Sequence, residues 1–139
     1  MKKPFLRFIA LSLCCLPVFL PAQTTFRLVE QLQWETSDQS IRQGSQEWQV
    51  RKFKGGVVGE QYPDVPLFVR TLRLPAHGLL DVQLVRGNYS DLEREAGPGD
   101  ALVGEALEFH TRIDRDRNGY YGIVEFVPII KTGMRYRKL

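Results

Sequence analysis

Residues 108–130 read EFHTRIDRDRNGYYGIVEFVPII, and two incompatible structures compete for them. Asp114, Asp116, Asn118, Gly119 and Glu125 fall in the D-x-D-x-N-G-x5-E order of an EF-hand calcium loop. Tyr120 stands where a backbone carbonyl would complete the ligand set. Asn118-Gly119 between two β-rich runs is also the strongest short hairpin signal. No amphipathic helices flank the segment, Tyr121 replaces the usual aliphatic residue, and Glu125 lies inside a run dense in Val, Ile, Phe and Tyr. Extended at about 3.3 Å per residue, that run carries Glu125 about 20 Å from Asn118, too far to close around an ion. The hairpin reading is therefore preferred. Residues 109–113 form one arm, Asn118-Gly119 or the residues around it make a turn in which both central positions can take positive φ, and 120–130 form the return.

Outward from this hairpin, the tail carries Lys131, Arg135, Arg137 and Lys138 and no acid after Glu125. Met134, Tyr136 and Lys138 alternate as a strand would, and the abrupt stop suggests an unfinished sheet in a longer protein, its edge open to strand addition. Upstream, residues 89–108 set six acids against the single base Arg94 and include Gly97-Pro98-Gly99. They read as an acidic, solvated, loop-dominated excursion. Asn88-Tyr89-Ser90 matches a glycosylation sequon.

Residues 67–74 (LFVRTLRL) and 79–86 (LLDVQLVR) both carry strand patterning, with Pro75-Ala76-His77-Gly78 between them, and are expected to pair or lie side by side. Residues 55–66 hold three glycines and two prolines and suggest an exposed loop. A phosphate cradle there would need a following helix, which Pro63 and Pro66 oppose. Alternation predicts a first strand over 25–34, a polar break over 37–46 and a second strand over 48–53.

At the other end, Lys2, Lys3 and Arg7 precede an apolar run from Phe8 to Leu20 and then Pro21-Ala22, the pattern of a secretory signal peptide cleaved after Ala22. About a dozen apolar residues fall short of the roughly 20 a membrane-spanning helix needs. Both cysteines, Cys14 and Cys15, leave with residues 1–22. Three of the 19 basic residues leave and none of the 16 acidic ones do, so bases and acids balance at 16 each. That balance removes the electrostatic case for nucleic acid or a membrane surface. Residues 23–139 suffice for one domain with a core of its own, expected to be all-β, antiparallel and sandwich-like.

No catalytic constellation stands out. Ser45 lacks the second glycine of a nucleophile elbow, and His77 and His110 are read as turn and strand histidines. The chain is accordingly read as having no catalytic residues and no cofactor.

One resemblance does emerge. The loop with Gly59 and Pro63–Pro66 running into residues 67–75, a turn and then residues 81–85 resembles the propeptide-like N-terminal domain of gingipain-type cysteine peptidases. Residues 115–121 with 124–130 and Arg137-Lys138-Leu139 are similar to the segment preceding the peptidase in the PorU-type sortases of the type IX secretion system of Bacteroidetes. The resemblance implies a non-catalytic β-rich prodomain, located in the periplasm, at the outer membrane or outside the cell. Its partners would be a peptidase domain or secretion-system proteins, with no transmembrane segment after cleavage. Two other expectations stand beside it: a calcium-binding extracellular module on Asp114, Asp116, Asn118, Tyr120 and Glu125, and a free-standing protein- or carbohydrate-binding domain presenting Tyr62, Tyr89, Tyr120 and Tyr121.

Overall fold

The hairpin forms. In the computed structural model, which describes residue 25 and residues 27–139, His110–Asp116 and Gly119–Phe126 pair antiparallel over seven rungs, from His110 opposite Glu125 to Asp116 opposite Gly119. The turn falls one residue before Asn118-Gly119. Arg117-Asn118 make the connection, and positive φ is confined to Gly119, at 131°. The Asp116 carboxylate accepts from the Asn118 N–H at 2.6 Å, which fixes the bend without a left-handed asparagine.

In chain order the strands are β1 (Trp34–Glu35), β2 (Ser40–Gln43), β3 (Gln46–Gln49), β4 (Lys52–Phe53), β5 (Val57–Gly59), β6 (Tyr62–Leu74), β7 (Ser90–Leu92), β8 (His110–Asp116), β9 (Gly119–Phe126), β10 (Ile129–Thr132) and β11 (Arg135–Lys138). A short 3₁₀ helix spans Pro98–Leu102. The main sheet has the order β5-β6-β9-β8, a second has β10-β11-β7, and β1-β4 and β2-β3 form two-stranded ribbons. Every pairing is antiparallel, so the all-β antiparallel class holds. Among the described residues no helix is long and apolar enough to cross a membrane. The leader over residues 1–22, with its cysteines, lies outside the described residues.

A run of rings joins the β1–β4 ribbon to the main sheet. Trp34 meets Phe53 edge-on at 5.4 Å, Phe53 stacks on Phe68 at 6.5 Å, and Phe126 touches both Phe68 (4.8 Å) and Phe109 (5.0 Å). Phe68 and Phe126 are direct cross-strand partners on β6 and β9, a pairing that joins sheet register to core packing. A second apolar cluster, Leu92, Ile129 and Tyr136, belongs to the smaller sheet, and Trp34 packs against both. The Trp34 indole N–H donates to the Leu139 carbonyl at 2.8 Å.

Several elements differ from the sequence expectation. The first strand shrinks to Trp34–Glu35, because only the two rungs of β4 are available to it. The polar segment 37–46 supplies β2, which turns at Gly44 (φ 63°) into β3. The strand expected over 48–53 breaks at Val50-Arg51, whose N–H groups donate instead to Gln39 and Pro63 carbonyls.

Residues 62–66, expected to be exposed, open the longest strand and include the buried run Pro63–Pro66. Gly59 pairs with Tyr62 but Val57 pairs with Leu67, so two steps along β5 face five along β6. The surplus bulges inward. Two prolines fit there because β9 pairs with β6 only from Phe68 onward, leaving no ladder donor to lose.

The strand expected over 79–86 does not form. β6 spends its free edge on β9 over Phe68–Leu74, and residues 79–86 are held by other means. Leu80 seats over the bare backbone of Gly122, where a β-carbon would meet its Cδ2 at 2.7 Å. The Thr111 hydroxyl donates to the Leu80 carbonyl at 3.2 Å. Lastly, the terminal strand is not an open edge: β11 is paired by β10 on one side and β7 on the other.

Candidate functional site

The inward bulge of β6 delivers Asp64 to a charged centre that no local pattern announces. Arg94, with only 1% of its side chain exposed, donates from Nη2 to Asp64 at 2.6 Å and from Nη1 to Asp100 at 3.1 Å. Its guanidinium lies 4.4 Å from the centroid of the Tyr136 ring. Asp64 also accepts the Gly99 N–H at 3.0 Å. Asp100 takes the Tyr136 hydroxyl at 2.5 Å and the Lys131 ammonium at 3.3 Å. Three donor side chains, from the 93–97 loop, β10 and β11, thus share two carboxylates, from β6 and the 3₁₀ helix.

Gly97-Pro98-Gly99 is the hinge of this arrangement, though not because it is flexible. A β-carbon at Gly97 would lie 2.3 Å from Asp64 Oδ2, and one at Gly99 would lie 2.4 Å from Val65 Cγ2. Glycine is required so that the backbone can reach the bulge and donate to Asp64.

The electrostatics follow from the contacts. Burial alone would raise the Asp100 carboxyl. The hydrogen bonds from Tyr136 and Lys131, with the charges of Lys131 and Arg94, bring it below its ordinary value. Lys131 is raised by its hydrogen bonds to Tyr136 and Asp100. Among the described residues Arg94 Nε is buried without a hydrogen-bond partner, a residual cost at an otherwise satisfied centre.

Beside this centre an open cleft of about 590 Å³ is lined by Glu47, Trp48, Arg51, Glu93 and Glu95, with Asp64 and Arg94 at its floor. Burial, then the nearby Arg94 charge, lowers the Arg51 guanidinium, while Asp64 pulls the other way. Arg51 donates to the Glu93 carbonyl at 2.5 Å. Both arginines of the cleft are thus committed to the chain itself. The charged centre fixes five segments of the chain to one another.

The positions of the calcium reading are strung along the hairpin. Asp114 stands opposite Tyr121, Asp116 opposite Gly119, and Glu125 opposite His110, so Glu125 is four residues, or about 13 Å, along β9 from the level of Asp114. Tyr120 stands between Leu74 and Arg115 in the sheet, and Asn118 is in the turn. The group that Asp114 and Glu125 share is Arg112, at 3.4 Å and 3.5 Å. Among the described residues no three His, Cys, Asp or Glu side chains gather as a metal site.

The tyrosines do not form one patch. Tyr62 opens β6 while Tyr120, on β9, pairs with Leu74 at its far end, Tyr121 faces away from Tyr120, and Tyr89 lies under Arg137. His77 meets Tyr120 edge-on at 5.4 Å, His110 begins the exposed edge strand β8, and Ser45 sits in the β2–β3 turn. The basic tail is largely engaged: Lys131 with Asp100, Arg137 with Asp91 at 3.8 Å, and Lys138 over Trp34.

Sequence reasoning misses Asp64, Arg94, Asp100 and Tyr136 as a set. The available signals were Arg94 as the lone base in an acidic run and two glycines flanking a proline next to it. No family model, curated protein or solved structure matches the chain.

Proposed function

We propose that this chain is a secreted, non-catalytic β-domain that works by contact with other proteins. In this reading it serves as the prodomain-like module of a type IX secretion sortase of the gingipain type, supporting the processing of secreted proteins at the outer membrane. The observation that carries the contact role is the segment 79–86. Leu79 is fully exposed and Val85 and Leu84 are largely or partly so, although the same segment is anchored through Leu80. Apolar side chains concentrated on one fixed segment are the usual mark of a protein-facing surface. The charged centre supports the same reading, because its cations and carboxylates are spent on one another and on the backbone. The specific family assignment rests on the sequence resemblance.

The test is made in the organism that encodes the chain. Deleting it is expected to leave secreted cargo with unremoved C-terminal signals. Leu79→Asp combined with Val85→Asp is expected to reproduce that defect without lowering the melting temperature, both positions being exposed. Normal cargo processing in the deletion strain refutes the assignment. Normal processing in the double variant refutes the surface.

A further inference from the structure

β8 is the outermost strand of the main sheet, and among the described residues no backbone group bonds to its outer side. Its sequence, His110-Thr111-Arg112-Ile113-Asp114-Arg115-Asp116, is nearly its own complement when reversed about Ile113. We propose that β8 pairs antiparallel with β8 of a second copy of this chain, centred on Ile113, joining two four-stranded sheets into one of eight strands.

The register follows from the side chains. With Ile113 opposite the partner's Ile113, Arg112 stands opposite the partner's Asp114, and Asp114 opposite the partner's Arg112. His110 faces the partner's Asp116, and Asp116 the partner's His110. These four residues share one face of the strand, so all four cross-strand pairs on that face match a carboxylate with a basic side chain. On the other face Thr111 meets the partner's Arg115 and half-buried Ile113 meets itself. Shifting the register by two residues in either direction sets Arg112 opposite the partner's Arg112 or Asp114 opposite the partner's Asp114, so the charges select one alignment.

Arg112 and Asp114 are free enough to take part, with 61% and 59% of their side chains exposed. In the proposed register the like-charged neighbours lie on the diagonals, about 7–8 Å apart, and Glu125 stays beside Arg112 to offset them. Charged edge strands ordinarily resist pairing. Here the pattern resists other strands and admits its own copy. Among the described residues each chain has one such edge, so the two-fold contact closes at a dimer. A single strand pair buries little area, and the affinity expected is micromolar or weaker. This edge adjoins the 79–86 segment at Thr111, but its charged face carries Arg112 and Asp114 while the apolar surface is Leu79 and Val85, so variants at the two places test the two proposals separately.

Sedimentation equilibrium of the purified protein from about 1 µM to about 1 mM tests the contact. A monomer–dimer equilibrium is expected, weakened by salt. Arg112→Asp and Asp114→Arg should each weaken it about tenfold or more, since every substitution turns two pairs repulsive at once. The two together should restore it to within about threefold of the original. Hydrogen exchange gives a second readout that needs no variant: protection gained on concentration should centre on residues 110–116. A protein monomeric throughout overturns the proposal, as does a dimer indifferent to single reversal, a double variant as weak as the singles, or protection appearing on another strand.

Discussion

Replacing Arg94 by Met removes the cation at the centre of the Asp64–Asp100 network while keeping a similar unbranched volume. The loss comprises the 2.6 Å bond to Asp64, the 3.1 Å bond to Asp100 and the stacking on Tyr136. The two carboxylates fare differently. Asp100 is about a quarter exposed and keeps Tyr136 and Lys131, so water and those partners absorb the change. Asp64 is 7% exposed and keeps the Gly99 N–H as its hydrogen bond, with the Arg51 charge nearby. Orphaning a buried charge costs about 3–5 kcal/mol. Relief of the unpartnered Arg94 Nε returns about 1 kcal/mol of that. The net loss is about 2–4 kcal/mol, against a total stability of about 5–15 kcal/mol for a domain. For a body of this size it corresponds to a melting temperature lower by about 10–20 °C. Urea unfolding followed by circular dichroism measures it. Adding Asp64→Asn to Arg94→Met removes the orphaned charge, so the double variant should lose less than the sum of the singles by about 2 kcal/mol. A single-variant loss under about 1 kcal/mol, or strict additivity, would show that the network is not what holds the bulge.

Two further outcomes follow from the same region. Gly99→Ala should cost about 1–3 kcal/mol, because its β-carbon would strike the fully buried Val65, whereas Gly78→Ala, with open space around it, should be close to neutral; equilibrium denaturation of both separates packing from backbone effects. The Asp100 carboxyl is depressed in the folded state, so its stabilising contribution is present above the unfolded value near about 3.9 and is lost as pH falls through the folded value. Asp100→Asn should therefore flatten the acid limb of stability against pH, and an unchanged acid limb would contradict the contacts assigned to it.

The hairpin of β8 and β9 was legible because its information is local: a turn dipeptide with strand-forming runs on both sides. The calcium pattern was legible as a pattern but not as chemistry, since strand pairing places Arg112, absent from the motif, between Asp114 and Glu125. Residues 62–66 mislead because glycine and proline frequency marks irregular backbone, and irregular backbone can be buried when a bulge turns it inward. Residues 79–86 mislead for the opposite reason. Their alternation is a capacity to form a strand, and realising it needs a partner edge that β9 had already taken on β6. The charged centre was least legible: Arg94 and Asp64 are 30 positions apart, and nothing short-range couples them.

The bond from Trp34 to Leu139 joins residues 105 positions apart, and this bears on how the molecule assembles. The β8–β9 hairpin closes over a two-residue connection, and such hairpins form in about 1–10 µs. The clasp instead gathers almost the whole body of the chain into one loop, an entropic cost met only once the intervening sheets exist to hold its ends together. A folding nucleus near Phe126, with the Trp34 indole docking last, is the sequence of events this connectivity favours, and the indole thereby becomes a natural optical reporter of completion.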